Sequence, residues 1–156
     1  ITNLLMRVKK NTNSRLKDID FNNLKFGEVF TDHMFVCDYE NGNWIDPRIV
    51  PYKKIEIEPS ANVFHYGQAV FEGMKAYKDD SGKIWLFRPT ENYKRISISS
   101  ERLAMPVLGE NIFLSRCKKF PIKGPTSSIC VILKFIANLT SFPLLAYLCQ
   151  ELNLSS

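Results

Sequence analysis

The chain contains 156 residues, of which 45% are hydrophobic, 24% charged and 12% aromatic. This composition excludes collagen, low-complexity disorder and a small disulfide-held protein. A chain of this length buries roughly two-thirds of its unfolded surface, which is enough for one core. The formal net charge is +5, but the basic residues occur at most in pairs. Since a nucleic-acid surface needs a denser basic stripe, we expect no nucleic-acid partner.

Cysteine and histidine do not form the spacing of a metal site. The four cysteines make no CxxC pair, and His33 and His65 add no zinc-binding pattern to them. Residues 1–20 carry five basic side chains but no apolar segment of the kind that follows in a signal peptide. We therefore expect no metal, free thiols in a reducing compartment, and a cytoplasmic location.

The composition changes near residue 110. Residues 1–109 contain 16 basic and 14 acidic residues, whereas residues 110–156 contain five basic and two acidic residues. Such a break commonly marks a domain or sequence boundary. The sequence therefore divides into a charged region, 1–109, and an atypical tail, 110–156.

The charged region begins with the signals of strands and turns. Val29–Tyr39 is rich in β-branched and aromatic residues, and Asn41–Gly42 is a hairpin dipeptide. Trp44–Val50 is the expected return strand, with Pro47 placing it at an edge or a bulge. Lys53–Glu58 alternates apolar and charged residues, which predicts a half-buried strand.

A second hairpin and a helix follow. Ala69–Tyr77 and Lys83–Phe87 are predicted strands around a turn that contains Gly82. Thr90 is the expected N-cap of a helix that ends before Pro106. Its predicted buried face consists of residues three or four apart: Tyr93, Ile96, Ser100 and Leu103. These elements predict an α+β fold in which a mixed sheet carries a packed helix.

The tail contains a long apolar stretch at residues 129–149, with 16 apolar residues out of 21. This length can cross a bilayer. However, Lys134 costs about 2.5–3.5 kcal/mol near the centre of a span. Four further interruptions make a buried segment the more natural interpretation, so we expect no membrane association.

The most informative segment is residues 65–77, HYGQAVFEGMKAY. It places Gly67 and Gly73 six residues apart beside Tyr66 and Phe71. Glycine permits a positive φ or a close approach, and an aromatic pair can line an apolar pocket. The residues alone leave two alternatives: the wall of a ligand site, or an ordinary turn with core aromatics.

The segment also carries a family resemblance. It is similar to a block of the branched-chain amino-acid aminotransferases, which are pyridoxal 5'-phosphate enzymes of fold type IV. Further blocks resemble the family in the same order and at the same spacing: KFGEVFTDHM at 25–34, LFRP at 86–89, ENYKR at 91–95 and ERLAMP at 101–106. The resemblance covers residues 12–107 and implies the small N-terminal domain of that fold.

The resemblance implies amino transfer between leucine, isoleucine or valine and 2-oxoglutarate. It places the arginine that anchors the cofactor phosphate at Arg95, where a guanidinium fork suits the ligand. It places substrate-binding residues at Phe26, Tyr66, Phe71 and Gly73, and it implies a homodimer. Plain core packing remains the alternative for Phe26 and Phe71. No catalytic role is implied for Glu72.

The resemblance also implies that a catalytic residue is missing. Transamination needs a lysine amine as Schiff-base partner and proton shuttle. The family places it in a larger C-terminal domain, and no lysine in this sequence matches it. We therefore assign no catalytic residue and expect weak or no cofactor binding by this chain alone.

The tail departs from the family after residues 111–114, which resemble the start of a family helix. The departure predicts a truncated or frame-shifted end. The alternative function is a non-catalytic product, acting as an interaction domain or as a fragment anchored through residues 129–149.

Overall fold

The structure is a computed structural model that describes residues 6–20, 30–119, 128–136 and 144–146. Phe26, one of the predicted substrate-binding residues, lies outside these ranges. After a 3₁₀ turn at Leu16–Asp18 is set aside, the elements are β1 (Arg7–Val8), β2 (His33–Glu40), β3 (Asn43–Pro51), α1 (Asn62–Tyr66), β4 (Ala69–Lys78), β5 (Ile84–Leu86), α2 (Pro89–Arg102), α3 (Glu110–Lys119), β6 (Ser128–Ile136) and β7 (Leu144–Ala146).

The first sheet has the strand order β1-β3-β2-β7. The predicted hairpin between β2 and β3 is confirmed: Asn41 and Gly42 both have positive φ, at 49° and 79°. The predicted bulge at Pro47 is also present, because the register shifts between Val36 and Asp38 on the partner strand. β1 pairs with β3 in parallel and the other pairs are antiparallel, so this sheet is mixed.

Strand β2 is buried on both of its faces. Phe35 and Cys37 belong to the main core, together with residues of the second sheet and of both longer helices. Met34 and Val36 point the other way into a smaller cluster. Trp44 joins the hairpin to the segment after α2, since its indole Nε1 donates to the carbonyl of Val107 at 2.8 Å.

The second sheet is antiparallel, with the order β5-β4-β6. β4 alternates strictly: Val70, Glu72, Met74 and Ala76 are buried, and the residues between them are exposed. Ile96 of α2 lies in the same core as Val70 and Met74, so α2 packs on the buried face of β4. The structure thus confirms the predicted α+β arrangement of sheet and packed helix.

Helix α2 begins two residues before the predicted start. The N-cap is Arg88 rather than Thr90, because Pro89 occupies the first helical position, where its fixed φ and missing N–H fit well. The predicted end before Pro106 is confirmed, since the helix stops at Arg102. Ile96 and Ser100 of the predicted face are buried, whereas Leu103 is exposed.

The predicted strand at Lys53–Glu58 is wrong, because this segment forms no ladder. Ile55 instead packs with Val50 and Tyr52 against Met34 and Val36. The alternation therefore reflects a loop that lies over the first sheet with one side half-buried. The short helix α1, which the sequence patterns missed, follows this loop and ends at Gly67, whose φ is 59°.

The tail contributes strands to both sheets. β6 pairs with β4 over nine residues, from Ala69 opposite Ile136 to Tyr77 opposite Ser128, and β7 pairs with β2. In the described part of residues 129–149, a membrane-spanning helix is therefore ruled out. Across all the ranges that the structure describes, no helix is long and apolar enough to cross a bilayer.

Candidate functional site

A groove of about 400 Å³ lies between β4 and the start of α2. It brings three cationic side chains together, Lys75 from β4 and Arg88 and Arg95 from the helix region. Its remaining lining residues are Gly73, Met74, Tyr77, Phe87, Glu91 and Asn92. The carboxylate of Glu91 already pairs with Lys94, at 2.9 Å from Nζ to Oε1. The groove therefore suits an anionic ligand.

The guanidinium of Arg95, which lines the groove, is held by the buried carboxylate of Glu72. Its Nε donates to Oε2 of Glu72 at 2.7 Å, and its Nη2 donates to Oε1. Glu72 is only 3% exposed, whereas the Arg95 side chain is 66% exposed. Asn92 adds a third donor to the same carboxylate, because its Nδ2 lies 3.0 Å from Oε1 and 2.9 Å from the carbonyl of Gly73.

The charge on Arg95 is secured by this arrangement. The hydrogen bonds that Arg95 donates to Glu72, and then the negative charge of Glu72, raise the pKa of Arg95 above its ordinary value. A guanidinium carries five N–H donors, and Glu72 accepts from two of them, the one on Nε and one of the two on Nη2. Nη1 has no partner among the described residues, so its two donors can still bind an anion in the groove.

Arg88, which also lines the groove, has an unusual backbone conformation. It is the N-cap of α2 and has φ 47° and ψ 51°, in the left-handed region that non-glycine residues seldom adopt. Such a conformation costs on the order of 1–3 kcal/mol and persists only where the surroundings impose it. Here Pro89 fixes the next φ and the second hairpin ends directly before Arg88.

The predicted site residues do not all meet. Arg95 and Gly73 line the same groove. Tyr66 and Phe71 do not line it and are 78% and 75% exposed. Phe71 and Gly73 alternate with Glu72, so they lie on the exposed face of β4, opposite the face that packs on α2. A Cβ added at Gly73 meets nothing within 4 Å, so the space beside it is open.

The sequence interpretation left out two residues that the structure places at the centre of the site, Glu72 and Asn92. A signal for Glu72 was present, because the strand alternation puts this residue on the apolar side between Val70 and Met74. A carboxylate in such a position needs a cationic or hydrogen-bonding partner. Its partner lies 23 residues away in sequence, so the alternation alone does not identify it.

No protein-family model matches the chain. Among curated proteins it is 55% identical over 96 residues to Branched-chain-amino-acid transaminase 1 of Bacillus subtilis, which is 61% of this chain and 27% of that protein. It is 44% identical over 120 residues to Branched-chain-amino-acid aminotransferase 2 of the same organism, with coverages of 76% and 33%. A branched-chain-amino-acid aminotransferase of Helicobacter pylori is 44% identical over 102 residues, with coverages of 65% and 30%.

Solved structures show the same fold. The branched-chain amino acid aminotransferase of Escherichia coli superposes with a TM-score of 0.53 at 16% identity, over 75% of this chain and 41% of that one. An enzyme of the same name from Thermobaculum terrenum, as its M4 mutant, gives 0.52 at 13% identity, over 81% and 40%. These likenesses confirm the predicted fold type IV architecture.

The N-terminal part of the chain thus resembles the branched-chain amino-acid aminotransferases, as the motifs predicted. The chain spans about a third or less of the length of the first curated relatives it matches.

Proposed function

We propose that this chain carries the phosphate-anchoring part and part of the substrate wall of a pyridoxal-phosphate-dependent branched-chain aminotransferase. The reaction is amino transfer between leucine, isoleucine or valine and 2-oxoglutarate. The observation that carries the proposal is the position of Arg95, which is ionised, is held by a buried carboxylate and lines the groove together with Lys75 and Arg88. The chain's similarity to proteins with this printed activity supports the same conclusion.

The residues present fit one end of the cofactor. A phosphate group needs convergent N–H donors and positive charge, and the groove supplies the free face of Arg95 together with Lys75 and Arg88. When bound, pyridoxal phosphate supplies an electron sink that stabilises a carbanion at the amino-acid carbon. The part played by Arg95 is to bind and orient the phosphate, which fixes the cofactor for the rest of the site.

The proposed substrate wall is the open face of the second sheet and the turn before it. Phe71 and Gly73 share this face, and Tyr66 ends α1 just before it. Phe26 completes the proposed set. An apolar wall excludes water and rewards each buried methylene by under about 1 kcal/mol, so it separates aliphatic side chains only modestly. Tyr66 and Phe71 are exposed here, so the wall needs a covering partner to become a pocket.

We further propose that the chain alone does not catalyse transamination, because no lysine of this sequence matches the family's Schiff-base position. The complete site would then require a large domain and, as the resemblance implies, a homodimer in the cytoplasm. The proposed division remains 1–109 for the small-domain-like region and 110–156 for the tail. Sequencing the coding DNA around codon 115 tests whether the tail arises from a changed reading frame.

The alternative is a non-catalytic interaction domain. The observation in its favour is the set of exposed aromatic side chains on and beside the second sheet: Phe64, Tyr66, Phe71, Trp85 and Phe87. Nothing observed supports anchoring in a membrane. The aminotransferase proposal explains the exposed face and the cationic groove together, whereas an interaction domain explains only the first.

The test joins residues 1–109 to the remaining part of the Bacillus subtilis transaminase 1. We expect the chimera to convert leucine with 2-oxoglutarate and to retain pyridoxal phosphate. Arg95→Ala in the chimera should weaken cofactor retention by at least tenfold, whereas Arg48→Ala, a control on the first sheet, should leave it unchanged. An Arg95→Ala chimera that retains the cofactor normally contradicts the role of Arg95.

The same assay on residues 1–156 alone should show no turnover. Transamination by the purified chain, free of host enzyme, contradicts the proposed inactivity.

A further inference from the structure

We propose that Glu72 is a positioning residue, which orients the guanidinium of Arg95 so that its Nη1 edge faces a phosphate in the groove. This inference rests on the proposed function and extends it to a residue that the resemblance leaves without a role. Glu72 does not line the groove, although its neighbours Gly73 and Met74 do. Its carboxylate is buried and bonded to Arg95 and Asn92. It acts only through Arg95.

The geometry of the contact carries this inference. An arginine side chain on a helix surface samples many rotamers, and ordering it has an entropic cost. The two hydrogen bonds from Nε and Nη2 to the two oxygens of Glu72 remove that freedom, because a fork-on-fork pair fixes both the position and the plane of the guanidinium. The edge that Glu72 does not bind is therefore presented in one direction.

Glu72 is itself held rigidly. It is 3% exposed, and at its position β4 pairs with β6, where Glu72 lies opposite Leu133. Asn92 donates to its Oε1 and, with the same amide nitrogen, to the carbonyl of Gly73. Asn92 thus ties the helix to the strand at the level of the carboxylate, so that Arg95, one helical turn further on, is placed relative to the strand as well.

If charge alone mattered, removing Glu72 would be expected to strengthen phosphate binding. The positioning inference expects the opposite, so it can be tested. A carboxylate beside Arg95 partly cancels the attraction of the guanidinium for an anion. If Glu72 served only to neutralise Arg95, its removal would strengthen phosphate binding. If it positions Arg95, its removal weakens phosphate binding, although the net positive charge of the site rises.

The experiment titrates the chain of residues 1–156 with inorganic phosphate at constant ionic strength. It follows the side-chain N–H signals of Arg95 by NMR, and chloride serves as a blank. We expect phosphate to shift the Arg95 signals of the wild type, and Glu72→Gln to weaken that binding by about tenfold, as expected for the loss of an orienting contact. We also expect Glu72→Gln to speed the solvent exchange of the Arg95 Nε–H, a readout that does not depend on any ligand.

Asp38→Asn is the matched control. Asp38 also receives two guanidinium nitrogens, Nη1 of Arg48 at 2.5 Å and Nη2 at 3.3 Å, but it lies on the first sheet. We expect this variant to leave the phosphate titration unchanged. An equal loss in Asp38→Asn and Glu72→Gln would assign the effect to general destabilisation and overturn the inference.

The remaining outcomes separate the two proposals. Equal or tighter phosphate binding by Glu72→Gln, or unchanged exchange of the Arg95 Nε–H, overturns the positioning role and leaves the proposed function intact. No phosphate response at Arg95 of the wild type overturns the inference that Glu72 presents Arg95 to a phosphate, while the proposed function is decided by cofactor retention in the chimera. In the Arg95→Ala background, phosphate binding is followed by the backbone N–H signals of Gly73 and Asn92, which line the groove. There Glu72→Gln should cause no further loss of phosphate binding, and an undiminished loss also overturns the inference.

Discussion

The two central strands of the molecule bury their side chains in opposite ways. In β2, four successive residues from Met34 to Cys37 are all buried, because the main core covers one face and a loop with Ile55 covers the other. In β4, burial alternates residue by residue from Ala69 to Tyr77. A strand that is covered on both sides supports the fold, whereas a strand that is covered on one side presents a surface.

This difference in burial indicates which of the two strands carries the candidate site. The covered face of β4 holds Glu72 in place, and the open face carries Phe71 and Gly73 beside the groove. The first sheet supplies Phe35 and Cys37 to the core that supports β4. Changes in the first sheet should therefore act on stability, and changes on the open face of the second should act on binding and association.

The largest expected effect is on the free energy of unfolding, and it comes from truncating one phenylalanine on each of the two central strands. Phe35→Ala removes a fully buried ring and should lower the free energy of unfolding by about 3–5 kcal/mol. Phe71→Ala removes an exposed ring and should change it by less than about 0.5 kcal/mol. Urea unfolding followed by circular dichroism measures both. A cost at Phe71 that approaches the cost at Phe35 would show that the open face is covered in solution.

The open face should also make the chain associate with itself. Phe71, Tyr77, Trp85 and Phe87 are all exposed, and monomeric proteins seldom leave large apolar patches bare. We expect poor solubility or oligomers in size-exclusion chromatography with light scattering. Phe71→Ser should shift the distribution towards monomer, whereas Val8→Ser, at an exposed site on β1, should not. A monodisperse monomer of the unaltered chain contradicts this expectation.

Burial on both faces of β2 should make Cys37 unreactive. Burial raises the pKa of its thiol to about 12, and the neighbouring negative charge of Asp38 adds to the effect. We therefore expect iodoacetamide at pH 8 to leave Cys37 unmodified in the folded chain and to modify it in urea, as mapped by mass spectrometry. Rapid labelling in the native state would show that the first sheet opens readily.

The smallest expected effect on stability comes from Asp79, in the turn of the second hairpin. Asp79 Oδ1 accepts hydrogen bonds from Ser81 N, Ser81 Oγ and Lys83 N, at 3.0, 2.6 and 2.9 Å, and its Oδ2 accepts one from Trp85 Nε1 at 2.7 Å. The hydrogen bond from the Ser81 side chain is the main reason that the pKa of Asp79 falls to about 2 from its ordinary value of 3.8.

Since the pKa is lower in the folded chain, ionised Asp79 stabilises the hairpin above pH 4. That contribution is lost as the pH falls from about 4 to about 2. Asp79→Asn should therefore lower the urea midpoint slightly at pH 6 and have less effect at pH 2.5. Asp80→Asn is the neighbouring control. A difference between Asp79→Asn and the unaltered chain that stays constant with pH would contradict this role.

Local patterns in the sequence predicted the parts of the fold that local forces decide. The Asn41–Gly42 turn requires positive φ at two residues, and the alternation of β4 records one covered face, so both were readable. Lys53–Glu58 misled because a half-buried loop produces the same alternation as a strand. This wrong prediction shows that an alternating pattern reports which side chains are buried, and not whether the backbone pairs with another strand.

The candidate site was less predictable for a different reason. The resemblance identified Arg95 and Gly73, which the structure places in one groove. The contact between Glu72 and Arg95 depends on how α2 is rotated on the sheet, and no sequence periodicity records that rotation. Tyr66 and Phe71 do not line the groove: Tyr66 ends α1, and Phe71 lies two residues before Gly73 on β4.

The hydrogen bond from the Trp44 indole to the Val107 carbonyl holds one tryptophan on the first sheet, and the second sheet carries the other. The fluorescence of each sheet can therefore be followed separately. The chain has two tryptophans: Trp44 lies half-buried on β3 of the first sheet, and Trp85 lies 51% exposed on β5 of the second, with Lys83 Nζ at 3.8 Å from its ring centre. A sheltered indole emits at shorter wavelength than a hydrated one. Two single-tryptophan variants, Trp44→Phe and Trp85→Phe, would therefore show by fluorescence whether the second sheet opens while the first remains closed.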